Sequence, residues 1–151
     1  MFVSYRRRRT EMEKNMEKNI DFKGCRIIQS NYKIKKVEKD LEKNKDSELR
    51  INAKLGVGDV DTVTNLNCVV TVEVDSIQDQ DIKEVTVSCE GFFDVYGFNK
   101  GHDVKEVIEM ARTVAVSTMY PYIRTYISNL TGLDDFNEAI TLPIINVAEM
   151  E

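Results

Sequence analysis

Strict alternation of apolar and polar side chains dominates the middle of this chain. Leu49, Ile51, Ala53, Leu55 and Val57 alternate with Arg50, Asn52, Lys54 and Gly56. Cys68, Val70, Val72 and Val74 share one face of Leu66–Val74, and Val85, Val87, Cys89, Gly91, Phe93 and Val95 are opposed by Glu84, Thr86, Ser88 and Glu90. Successive side chains of a strand point to opposite faces, so a period of two predicts half-buried strands, each with one apolar face. A further strand is predicted over Cys25–Val37, with Ile28, Tyr32 and Ile34 on one face. The polar connections "EKDLEKNKD" and "DSIQDQD" are too short for crossover helices, so the four strands predict an antiparallel sheet whose apolar face needs a cover.

The cover lies in the C-terminal third. Asp103 can cap a helix, with Glu106 in the capping-box position. Val104, Val107, Ile108, Ala111, Val114, Ala115, Thr118, Met119, Tyr122, Tyr126 and Leu130 then recur in steps of three and four, the spacing of one broad helical stripe. Pro121 lacks the N–H that would bond the Ser117 carbonyl, which predicts a kink or a register change. Gly132 is expected to close the helix in a left-handed conformation. Leu133–Ile140 is expected to form a short second helix, and "LPIIN" an extended, apolar end segment. The fold class is therefore α+β, a four-stranded antiparallel sheet carrying a long kinked helix and a short second helix on one face.

A length of 151 residues fits one domain, with 42% hydrophobic and 31% charged residues supplying one modest core. Residues 1–21, charged and carrying "MEKN" twice, are expected to be a flexible arm, and residues 22–151 the domain. A net charge of -5 argues against nucleic acid as the main partner, the Arg6–Arg9 run being read as a solvated terminus. No apolar stretch of signal-peptide kind follows those basic residues, and no run approaches a membrane span, so a cytoplasmic protein without membrane insertion is expected. Cys25, Cys68 and Cys89 are odd in number and far apart, which favours buried thiols over a zinc site or a disulfide framework. "FFDVYGFNKG" has glycines but lacks the Lys-Ser/Thr ending of a phosphate loop. His102, the only histidine, has no partner nucleophile nearby in sequence, and no Gly-x-Ser-x-Gly elbow or metal-ligand cluster occurs. No enzyme activity, cofactor or metal is expected.

Four strands, an aromatic crossover, a helix broken by Tyr-Pro-Tyr and a Leu-Pro-Ile-Ile-Asn ending form an order that resembles the SecB family of protein-export chaperones. The likeness spans Phe22 to Met150 and is strongest in "YPYIRTYISNLTG", Tyr120–Gly132, which looks like the family's aromatic-Pro-Tyr-x-Arg-x-x-Ile-Ser motif. "LPIIN" resembles the family's Leu-x-Pro-Val-Asn ending and "EGFFDV" its Gly-Ile-Phe strand. The resemblance implies a dimer-of-dimers homotetramer that holds unfolded or nascent polypeptides along apolar grooves without ATP. It implies a client groove lined by Ile34, Leu49, Ile51 and Leu55 from the first two strands, with Ile127, Leu130, Leu133, Phe136 and Leu142 from the helical end. The excess apolar surface of strand four and the helix points to subunit interfaces at Val85, Val87, Cys89, Val107, Met119 and Tyr122.

Departures from the family's pattern bear on the partner. Asn31 and Lys35 stand where export members present acidic residues to the translocase motor, with Glu84 and Thr86 near the rest of that surface. A lysine in place of a carboxylate reverses the sign of any pairing. Docking to the motor is therefore in question, and guarding an antitoxin of a toxin–antitoxin pair, as SecB-like relatives do, is the alternative client role. A structural or adaptor oligomer is the reading outside the chaperone class.

Overall fold

The computed structural model of the protein describes residues 20–36, 47–57, 65–78, 80–96 and 104–145. Strands β1 (Ile20–Lys36), β2 (Glu48–Val57), β3 (Asn65–Gln78) and β4 (Asp81–Val95) form one sheet in the order β1-β4-β3-β2. Every neighbouring pair is antiparallel. This is a Greek-key order: β2, β3 and β4 follow one another, and β1 lies beside β4. Helix α1 (Val104–Thr131) packs across one face of the sheet and touches all four strands. The predicted arm and the cap at Asp103, with His102 and Arg6–Arg9, lie outside the described residues except that Ile20 and Asp21 open β1.

The period of two decides the core. Leu66, Cys68, Val70, Val72 and Val74 of β3 and Val85, Val87, Cys89, Phe93 and Val95 of β4 are buried together under the helix. Each β2 residue with an apolar side chain pairs with one of these, as Leu49 with Val74 and Leu55 with Cys68. Between them Gly91 admits the Met119 thioether, because any side chain there would collide with it. The helix buries the row Val107, Ala111, Ala115, Met119, Ile123 and Ile127, residues four apart and hence stacked along one side. Val116 and Tyr120 are buried beside that row.

Three expectations are corrected. Ile28 is off the inner face: register shifts between Phe22/Gly24 and Ile27/Gln29 insert extra residues, so Cys25, Ile27, Ser30, Tyr32 and Ile34 share it instead. At the first shift Gly24 has φ 133°, a conformation that L side chains rarely adopt. Helix α1 keeps its helical backbone through Pro121, so no break accompanies the proline. Pro121 and Ser117 are both exposed, so water can take the carbonyl that proline leaves unbonded. Gly132 follows the helix but does not adopt a left-handed conformation; a side chain there would press on the Ser128 carbonyl and approach Ala139. The second helix is absent, and residues 132–145 form a non-helical strap.

Tertiary bonds explain the strap. Asp134 accepts from the backbone N–H groups of Phe136 (2.8 Å) and Asn137 (3.3 Å), which would otherwise serve a helix. Its other oxygen meets the buried Lys83 ammonium at 3.0 Å, and that ammonium also donates to the Glu138 carbonyl at 3.1 Å. Thr131, itself buried, donates to the Ile127 carbonyl and accepts from the Ile140 N–H, each at 2.8 Å.

Candidate functional site

The two flanks of helix α1 differ. On one flank Tyr120 donates its hydroxyl to the Pro143 carbonyl at 2.7 Å, and Arg124 donates Nε to the Leu142 carbonyl at 2.7 Å. The strap is thereby clasped to the helix, with Ile140 and Leu142 buried and Thr141 and Pro143 facing out. The Tyr-Pro-Tyr-Ile-Arg run and the Leu-Pro ending, separate in sequence, are thus one device: side-chain donors holding an extended backbone.

The other flank is open. Val114, Thr118, Tyr122, Tyr126 and Leu130 follow each other at four-residue steps alongside the inner face of β1. Phe22 lies 5.8 Å from the Tyr122 ring and 5.3 Å from that of Phe93. The Tyr126 hydroxyl is 3.0 Å from Ser30 Oγ. A hollow of about 230 Å³ between Ile20, Phe22, Phe93, Val114, Ser117 and Thr118 begins this shelf. At its far end Ile34, 48% exposed, pairs with Lys83, to which the strap is tied at Asp134. The neighbouring strap residues Leu133 and Phe136 are 88% and 93% exposed. An apolar shelf therefore runs the length of β1 and ends in large, uncovered side chains. Within it the Tyr32 hydroxyl is buried without a hydrogen-bond partner among the described residues.

The nine residues expected to line the groove separate into three groups. Ile34 on β1 and Leu133 and Phe136 on the strap are exposed, and Leu130 at the end of the helix is half-buried. Ile127 and Leu142 are buried core. Leu49, Ile51 and Leu55 lie half-buried on β2, at the opposite edge of the sheet. Three strand spacings, roughly 14 Å, separate the two edges. Within a single chain, the β1 and β2 members of the expected groove therefore lie at opposite edges of the sheet. Among the expected interface residues, Val85, Val87, Cys89, Val107 and Met119 are already enclosed by their own chain, whereas Tyr122 is 54% exposed. Sequence reasoning passed over Ser30, Tyr120, Arg124 and Lys83. Lys83 carried a signal: it falls in register with Val85 and Val87, a lysine on the buried face.

The outer face of the sheet is polar and internally paired. Arg26 bonds Glu90 at 2.9 Å, Arg50 bonds Glu73 at 2.9 Å and Glu48 at 2.6 Å, and Lys35 meets Glu84 at 3.0 Å. Thr71 and Ser88 share a 2.8 Å hydroxyl contact. Among the described residues, no group of three or more His, Cys, Asp or Glu is placed to hold a metal ion. No described helix is long and apolar enough to cross a membrane.

No protein-family model matches this sequence, and neither does any curated protein sequence. Among solved structures, the chain is similar to the Mycobacterium tuberculosis Rv1957 SecB-like chaperone, solved in complex with a ChAD peptide from the Rv1956 HigA1 antitoxin. The two are 18% identical, with a TM-score of 0.68 over 89% of this chain and 97% of that one. A protein of unknown function from Streptococcus agalactiae aligns with 9% identity and a TM-score of 0.48, over 83% of this chain and 97% of that one. The four antiparallel strands and the long helix of this chain are therefore arranged in the fold of a SecB-like chaperone, as the resemblance in its sequence implies.

Proposed function

We propose that the protein is an ATP-independent chaperone of the cytoplasm that holds unfolded or nascent polypeptides on the β1 shelf. The observation that carries this reading is the exposure of Ile34 on β1 and of Leu133 and Phe136 on the strap, large apolar side chains left uncovered. Such side chains suit alternate residues of an extended apolar segment, as other peptide-binding edges do. Binding that uncovers the buried Tyr32 hydroxyl would give it a client carbonyl as acceptor. In this reading the protein assembles as a homotetramer, with Tyr122 and its flank of the helix at a subunit contact.

Amide hydrogen exchange on the protein with a permanently unfolded polypeptide tests the site. Protection is expected at residues 30–36 and 130–136. Binding without protection there would place the site elsewhere.

Within the chaperone reading, an antitoxin is the favoured client. The Lys35–Glu84 pair neutralises the outer face where export relatives present acid, and the structurally similar chaperone is solved with an antitoxin peptide. Titration with the translocase motor at low salt separates the roles. Binding would assign the protein to export; absence of binding, with an antitoxin peptide still held, supports the antitoxin role. Surface charge pairs contribute only about 0–1 kcal/mol each, so low salt is the sensitive condition.

A further inference from the structure

We propose that a polar brace, Lys83 with Asp134, Asn137 and Asp81, holds the strap unwound so that Leu133 and Phe136 stand in water as client contacts, and that releasing it lets the strap coil and withdraw them. The four are positioning residues, and the inference rests on the chaperone reading for what Leu133 and Phe136 touch.

The strap carries a helical pattern that it does not follow. Leu133, Phe136 and Ile140 recur in steps of three and four, which a helix would place on one side. In the structure Ile140 is buried, whereas Leu133 and Phe136 are almost wholly exposed. A helix over residues 133–140 would turn both toward the side that Ile140 buries. Its backbone bonds are diverted instead. The Asn137 and Ile140 N–H groups, which a helix would return to the carbonyls four residues earlier, are given to Asp134 at 3.3 Å and to Thr131 at 2.8 Å. Lys83, fully buried, meets the other Asp134 oxygen at 3.0 Å and donates to the Glu138 carbonyl at 3.1 Å. The Asn137 amide donates to that same oxygen at 3.4 Å and to Asp81 at 2.9 Å. The turn is thus pinned to two residues of β4, Asp81 and Lys83. Stability alone does not account for this. Lys83 lies on the face of β4 that Val85 and Val87 occupy, where an apolar side chain would fill the space without desolvating an ammonium. The charge supplies direction: it fixes one course for the backbone, with two large apolar side chains turned to water.

Lys83→Met combined with Asp134→Ala in the full chain removes both charges together, so that neither is left buried alone. Circular dichroism should then show a gain of roughly one to two helical turns. Affinity for a permanently unfolded polypeptide should fall by about fivefold or more, with the melting temperature within a few degrees of the wild type. Added to a chain that already carries Leu133→Ser and Phe136→Ser, the same two changes should not lower the remaining affinity, because the brace acts through those residues. Asp134→Asn, the milder change, should move helix content and affinity in the same directions if the double variant folds poorly. Unchanged helix content in both variants, affinity kept despite coiling, or an equal further loss in the serine background would each overturn the proposal. A wild-type protein that binds no unfolded polypeptide would overturn the chaperone reading and the client role of the brace with it, while helix content still decides whether the brace holds the strap open.

Discussion

Lys83 places its ammonium inside the chain and holds the strap there through Asp134 and the Glu138 carbonyl. The Phe136 N–H and the Lys83 ammonium together lower the Asp134 carboxyl from 3.8 to about 2. A carboxyl depressed on folding stabilises the folded state above its unfolded value, and the contribution fades as pH falls through the folded one. Stability should therefore drop between about pH 4 and pH 2 in acid unfolding. Asp134→Asn should flatten that part of the profile, and an unchanged slope would remove the pair from the strap's anchorage. Tyr32 gives the complementary case. Its hydroxyl has no partner among the described residues, so Tyr32→Phe should leave the melting temperature unchanged or slightly raised. If the hydroxyl donates to a client, peptide affinity should fall about 2–10-fold, the worth of one net hydrogen bond of about 0.5–1.5 kcal/mol. Equal affinities would show that no client reaches it.

Among the elements, the strands were legible and the segment after the helix was not. Alternation in Leu49–Val57, Cys68–Val74 and Val85–Val95 placed nearly every core strand residue correctly, because a one-residue slip would bury the polar set. It failed at Ile28, where a bulge resets the phase without a marker in composition. Helical spacing selects one broad stripe that joins the buried Val107, Ala111, Ala115 and Met119 to the row Val114–Leu130 along the open flank. It missed Val116, Tyr120 and Ile123, buried on the side that faces the sheet and strap. Residues 133–140 are expected to be helical, whereas Lys83, remote in sequence, and the adjacent Thr131 take the backbone groups of Glu138 and Ile140. The order of strands was not legible either, and it alone separates Ile34 from Leu49, Ile51 and Leu55. The division between shelf and core is testable by alanine substitution. Ile127→Ala and Leu142→Ala should destabilise the chain by about 2–5 kcal/mol. Ile34→Ala, Leu133→Ala and Phe136→Ala should weaken client binding while the melting temperature stays within a degree or two. Stability losses across all five would leave no binding shelf.

At the scale of the whole molecule, one helix laid across four strands leaves the two edges unlike each other. The strap is fastened to one flank of the helix by Tyr120 and Arg124, and the flank beside β1 stays open. That asymmetry offers surface both to a second copy and to a client. Tyr122 is exposed in the single chain, so Tyr122→Asp should lower the mass seen by light scattering while helical content is kept. Val87→Asp, by contrast, should unfold the protein, since it buries an unpaired charge. A monomeric wild-type protein at micromolar concentration would contradict the assembly. The central claim is that the β1 shelf holds unfolded chains without nucleotide. Its most direct test is light scattering of a chemically unfolded, aggregation-prone protein diluted into buffer without ATP. Scattering should fall progressively as this protein is added and return when Leu133 and Phe136 are both replaced by serine. Undiminished scattering at a large excess of the wild-type protein would contradict it.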